Sequence, residues 1–224
     1  MWFAGPARLT PRSGRPGGFR LGFHLSPGMK VGLYGGSFNP AHEGHAHVAE
    51  TALRRLGLDR LIWLVSPQNP LKSNHETQPL SARIEGVSRY AQGPRMIVSD
   101  AETRMGSQYT IDTLRALKAR FPGVHFVWIM GADSLAGFHG WRGWTQIMRQ
   151  TPVAVVSRPW IALKSRFSPA ARRFSRARIP SSAARTLPFR KPPAWVYLRG
   201  PLNFASSTAL RRLKPRDKTP PLSP

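Results

Sequence analysis

The sequence predicts an α/β protein built on a doubly wound parallel sheet, and three observations lead there. Short, continuous apolar runs recur along the 224 residues, as in strands covered on both faces. Stretches compatible with helices separate those runs, the order that βαβ units require. The first junction reads strand, glycine turn, helix: Val31 to Tyr34, then Gly35-Gly36, then a turn at Asn39-Pro40, then a helix from Ala46 to Leu56.

The elements follow in order. Arg60 to Ser66 reads as a second strand and residues 81–92 as a helix. Arg95 to Ser99 is a short strand. Thr110 can cap a helix running to about Phe121, with Asp112 favourably placed in its first turn. Val124 to Met130 is another buried strand, ending at Gly131-Ala-Asp-Ser134. A helix over Trp141 to Arg149 and a strand over Pro152 to Val156 come next, and Ala194 to Leu198 reads as the last strand. After it, Ser206-Ser-Thr208 offers N-cap residues for a short helix reaching Leu213.

Composition narrows the function. One domain's worth of chain can bury a real core. Without cysteine there is no disulfide framework, thiolate zinc site or cysteine nucleophile. No apolar run approaches the ~20 residues that span a bilayer, and the arginine-containing start lacks the apolar core of a secretory signal. A cytoplasmic protein with no membrane partner is the expectation.

The net charge is +24, of which residues 1–28 carry +4, residues 29–159 carry +6 and residues 160–224 carry +14. Most of it therefore lies outside the part that reads as a folded core. Runs of that kind are usually solvated, and a moderately basic core suits anionic substrates. Residues 1–28 read as a disordered extension, with Met29 as a physiological start beside a genuine flexible leader. Residues 29–213 read as the domain, 159–193 as a basic, mobile insertion holding at most a short helix near 169–178, and 214–224 as a disordered tail. A nucleic-acid-binding role for the basic C-terminal third is the alternative from another class. It lacks a basic stripe interleaved with stacking aromatics, so no nucleic-acid partner is expected.

The chemistry gathers at Gly35-Gly-Ser-Phe-Asn-Pro-Ala-His-Glu-Gly-His45, where His42 and His45 stand in the form H-x-G-H. A glycine turn leading into a helix start offers backbone N–H groups and a positive helix end to a phosphate, and both imidazoles can face that phosphate. Neither the Walker A pattern nor G-x-G-x-x-G is present. Four further motifs follow: Asn69-Pro-Leu-Lys72, Gln108-Tyr-Thr-Ile-Asp-Thr-Leu114, Gly131-Ala-Asp-Ser134 with Trp141 downstream, and Ser206-Ser-Thr-Ala-Leu-Arg211.

Taken together, residues 29–213 resemble the bacterial nicotinate-nucleotide adenylyltransferases. The resemblance implies a single Rossmann-like domain of the nucleotidyltransferase superfamily that transfers AMP from ATP to nicotinate mononucleotide. His42 and His45 would be catalytic. Gly35, Gly36, Ser37, Phe38, Lys72, Gly131, Asp133, Ser207, Thr208 and Arg211 would join them around ATP. Ser37, Lys72, Tyr109, Thr110, Asp133, Trp141 and Arg142 would surround the mononucleotide, with Trp141 against the nicotinate ring. Mg2+ would arrive on the triphosphate, with no protein metal site, and a homo-oligomer is compatible with the family. Three positions depart from its pattern: Asn39 for Asp, Ala205 for Ile, and Arg142 where some relatives carry a second aromatic. Pantetheine-phosphate adenylyltransferase and other nucleotidyltransferases share H-x-G-H, but the Gly131-to-Trp141 stretch argues against them.

Overall fold

A computed structural model describes residues 23–67, 77–157 and 165–199. Seven strands form one sheet: β1 (Lys30–Gly36), β2 (Arg60–Val65), β3 (Met96–Ser99), β4 (His125–Gly131), β5 (Val153–Val156), β6 (Arg178–Ile179) and β7 (Trp195–Leu198). Their order is β3-β2-β1-β4-β5-β7-β6, and every pairing is parallel. The order reverses between β1 and β4, so the crevice at a topological switch point opens beyond their carboxyl ends.

The apolar runs explain the layers. Along β2, Ile62 and Leu64 enter the core on one face, while Leu61, Trp63 and Val65 enter the core on the other. A strand buried on both sides has no polar face to spare, hence the run without alternation. The helices are α1 (Glu43–Arg55), α2 (Leu80–Ser88), α3 (Ala101–Arg104), α4 (Thr110–Arg120), α5 (Ala132–Gly137), α6 (Trp144–Gln150) and α7 (Pro169–Arg173). Helix α1 buries Val48, Ala49, Ala52 and Leu53, one helical stripe, against the Trp63 side. Helices α4, α5, α6 and α7 cover the opposite face.

Several expectations need correction. Helix α1 begins three residues before Ala46, because His42 caps it. Tyr109, not Thr110, is the N-cap of α4, and it makes no side-chain cap bond. Helices α3 and α5 were not anticipated, being too short for a periodic signal. Helix α6 starts at Trp144, after a 3-10 turn over Phe138–Gly140.

Two segments expected to be irregular are packed where they are described. From the N-terminal extension, Leu25 is 4% exposed and joins the core. Phe23 stacks on Phe121 at 6.1 Å, and the Gly28 N–H donates to the Gly123 carbonyl at 2.8 Å. From the basic insertion, residues 165–193 contribute α7, edge strand β6 and a 3-10 stretch over Ser181–Phe189. Ala170, Ala171, Phe174, Ala184 and Leu187 are buried there, while Arg172, Arg173 and Arg176 are exposed. The Trp195 indole N–H donates to the Phe174 carbonyl at 2.7 Å, tying this layer to β7. A minority of apolar residues at helical spacing suffices to dock the segment, and their density among arginines hid them.

Leu25 sets a measurable consequence. A chain beginning at Met29 should be less stable than one beginning at Phe23 by roughly 1.5–3 kcal/mol, the usual scale for fully burying a leucine. Thermal or denaturant unfolding of the two checks this; equal stabilities would show that Leu25 contributes nothing.

Candidate active site

The carboxyl ends of β1 and β4 lie side by side, and Gly35 to Phe38, His42 and His45 follow β1 there. Gly35 is required by packing: a Cβ at that position would collide with the Trp128 ring. At Gly36 a Cβ would come within 3.1 Å of the Phe38 ring. Phe38 itself adopts φ 46°, a left-handed conformation costly for a residue with a side chain. Burial offsets the strain. The ring is 2% exposed and packs on Tyr34, Trp63 and His45 at centroid distances of 5.4, 5.3 and 5.1 Å. Asn39 accepts the Gln78 N–H through Oδ1 at 3.2 Å. An amide oxygen serves that purpose as a carboxylate would.

His42 and His45 form the start of α1. The Gly44 N–H donates to His42 Nδ1 at 3.0 Å, and the His42 N–H donates to His45 Nδ1 at 3.3 Å. This is a capping box made of two imidazoles, in which each satisfies a backbone N–H that the helix leaves open. The rings lie 3.8 Å apart between centroids, tilted by 37°. Because both Nδ1 atoms accept, the network assigns the ring hydrogen of each to Nε2. His42 is 2% exposed with its Nε2 buried, whereas His45 is half-buried, so His45 is the ring placed to meet a ligand at the positive end of the helix.

A second group sits across Trp128. Its indole meets Trp141 edge-on at 6.3 Å, and Trp141 also packs against Phe138 at 5.3 Å. Trp141 is half-buried. The Arg142 guanidinium lies over the Tyr109 ring at 4.5 Å, a cation–π geometry. Thr110 is the first residue of α4, where backbone N–H groups lack partners within the helix. Gly131 ends β4, and Asp133 occupies the exposed first turn of α5. Lys72, Ser207, Thr208, Arg211 and Ala205 lie outside the described residues. No group of three or more His, Cys, Asp or Glu among the described residues could hold a metal ion, and no described helix is long and apolar enough to cross a membrane.

A family model described as cytidylyltransferase-like matches residues 33–213. A probable nicotinate-nucleotide adenylyltransferase from Caulobacter sp. (strain K31) is 77% identical over 183 residues, covering 82% of this chain and 97% of the relative. The chain belongs to the nicotinate-nucleotide adenylyltransferase family. A further relative of that name, from Rhizobium meliloti (strain 1021), is 52% identical over 83% of this chain and 99% of its own length. The nicotinic acid mononucleotide adenylyltransferase of Plasmodium falciparum, solved in complex with NaAD, superposes with a TM-score of 0.60. That pair is 17% identical, covering 82% of this chain and 83% of the other, so the likeness speaks for the fold.

Sequence reading of this family member missed Glu102, which is 6% exposed at the second position of α3. The Thr113 hydroxyl donates to its carboxylate at 3.2 Å. Thr113 Oγ1 and Ser107 Oγ are 2.8 Å apart, and Ser107 donates to the Tyr109 carbonyl at 3.1 Å. A buried acid thus supports the turn that carries Tyr109 and Thr110. Nothing in the sequence distinguishes Glu102 from a solvated helix acid. Burial pushes its carboxyl up to about 7, against the pull of the Thr113 hydrogen bond.

The folded protein therefore keeps this proton to a higher pH than the unfolded chain does. Stability should fall as pH rises from about 4.5 to about 7, by on the order of 3 kcal/mol across the window. Glu102→Gln should remove that slope. Denaturant midpoints at pH 5 and pH 8 check it, and an unchanged slope in the variant would assign the effect elsewhere.

Proposed function

We propose that this protein transfers AMP from ATP to nicotinate mononucleotide, releasing pyrophosphate and deamido-NAD. The observation that carries the reading is the imidazole capping box of His42 and His45 at the switch point, in a chain 77% identical to a probable nicotinate-nucleotide adenylyltransferase.

A phosphate oxygen of the mononucleotide attacks the α-phosphorus of ATP. A new O–P bond forms, the bond to the bridging oxygen breaks, and that oxygen leaves with the electron pair as part of pyrophosphate. The nucleophile is already anionic at neutral pH, so no strong base is required. What remains is positioning and neutralisation of charge in the transition state. His45 donates to a phosphate oxygen, and buried His42, whose N–H donates to His45 Nδ1, orients it, with the backbone from Gly35 to Phe38 and the start of α1 around them. Ser207, Thr208 and Arg211 hold the β- and γ-phosphates, and Lys72 adds a contact to the phosphates. Mg2+ comes as part of the ATP substrate, bound by triphosphate oxygens and water. Gly131 and Asp133 take the ribose side. Trp141 stacks on the nicotinate ring beside Tyr109, Thr110 and Arg142.

His45→Ala should lower turnover by two orders of magnitude or more, the scale for losing one preorganised donor. Pyrophosphate release with ATP and nicotinate mononucleotide measures it. A folded variant that keeps over a tenth of the activity would refute the role.

Nicotinate mononucleotide should be preferred to nicotinamide mononucleotide by a hundredfold or more in kcat/KM. N–H groups around Thr110 favour a carboxylate, whereas the amide NH2 sets donor against donor at a cost of about 1–3 kcal/mol, and the charge term is lost as well. Equal kcat/KM for the two would overturn the carboxylate-reading pocket.

A further inference from the structure

Arg83 is the largest charged side chain withdrawn from solvent among the described residues, at 2% exposure in the first turns of α2. Its four hydrogen bonds all go to main-chain carbonyls. Nε donates to Gln78 at 2.9 Å, Nη1 to Ser37 at 2.9 Å and to Ser66 at 2.7 Å, and Nη2 to Pro67 at 2.6 Å. One planar fork thus joins the phosphate turn after β1, the end of β2 and the approach to α2. Burial lowers its pKa from the ordinary guanidinium value. Such a placement is expensive, and a hydrophobic residue would leave the four carbonyls without this donor. We propose that Arg83 is a positioning residue for adenylyl transfer, holding the Ser37 turn in the conformation that presents its N–H groups to the ATP phosphates.

The inference rests on the adenylyl-transfer reading above. The guanidinium bonds Ser37 through its carbonyl and uses none of the turn's N–H groups. The positive charge also lies next to the turn, where it favours an anion. Lysine keeps that charge but lacks the planar fork, and its single ammonium cannot reach four carbonyls in this arrangement.

The test compares wild type with Arg83→Lys, assayed well below the melting temperature of either. Turnover per folded enzyme should fall, and kcat/KM for ATP should drop ten- to hundredfold. KM for nicotinate mononucleotide should change less than KM for ATP, since Trp141 and Tyr109 are not touched and Ser37 is the one shared residue displaced. A merely structural arginine would lower the melting temperature and leave the ATP constants within twofold; that result overturns the proposal. Should the lysine variant not fold, the wild type carries the test. The 15Nε–H signal of Arg83 should be protected from exchange and should shift on binding a non-hydrolysable ATP analogue, but not on binding the mononucleotide alone. An Arg83 signal indifferent to the analogue overturns it as well. A wild type that releases no pyrophosphate would instead refute adenylyl transfer itself.

Discussion

The first turn of a helix cannot satisfy its own N–H groups, and at α1 that shortage organises the edge of the sheet where His42 and His45 lie. Most proteins cap such a start with a hydroxyl or a carboxylate. Here His42 and His45 do it, each through Nδ1. A carboxylate at the same place would repel a phosphate, whereas an imidazole that accepts with one nitrogen still donates with the other. The cap therefore fixes ring orientation and tautomer in the same act. The rest of the edge keeps this arrangement in register: Phe38 packs against His45, and Arg83 ties the Ser37 carbonyl to β2.

The two halves of the site are not independent. Trp128 lies at the switch point with one part of its indole against Gly35 and another edge-on to Trp141. A bulkier residue at Gly35 would push on the same ring that supports the Trp141 platform. Overpacking of this kind costs about 1–3 kcal/mol, and some of that would appear as displacement of Trp141. Attacking phosphate and α-phosphorus have to meet at near-bonding distance. A rigid aromatic strut between phosphate turn and ring platform is a direct way to keep that separation.

Much of this was legible in the sequence. The buried strands announced themselves as apolar runs, and glycine turn plus H-x-G-H marked the edge where the histidines are found. What escaped has physical reasons. Helices of four and six residues, α3 and α5, carry too little periodicity to read. Arg83 and Glu102 look like surface charges in one dimension, and only the three-dimensional arrangement removes water from them. Leu25 and the small residues of α7 were outvoted by neighbouring arginines and prolines. The histidines stand at the strand-to-helix junction, but their part in capping was not foreseen, since imidazole is an unusual cap. The stretches holding Lys72 and Ser207 to Arg211 fall outside the described residues, and their roles stand as proposals.

The most direct test of the account is the protonation pattern of the two imidazoles in the wild-type protein. Nitrogen-15 NMR of histidine-labelled enzyme distinguishes a protonated ring nitrogen from a bare one. The account predicts bare Nδ1 and protonated Nε2 at both His42 and His45, with the His45 Nε2 signal moving when a non-hydrolysable ATP analogue binds. A proton on Nδ1 of either ring, or a His45 Nε2 signal that ignores the analogue, would contradict it.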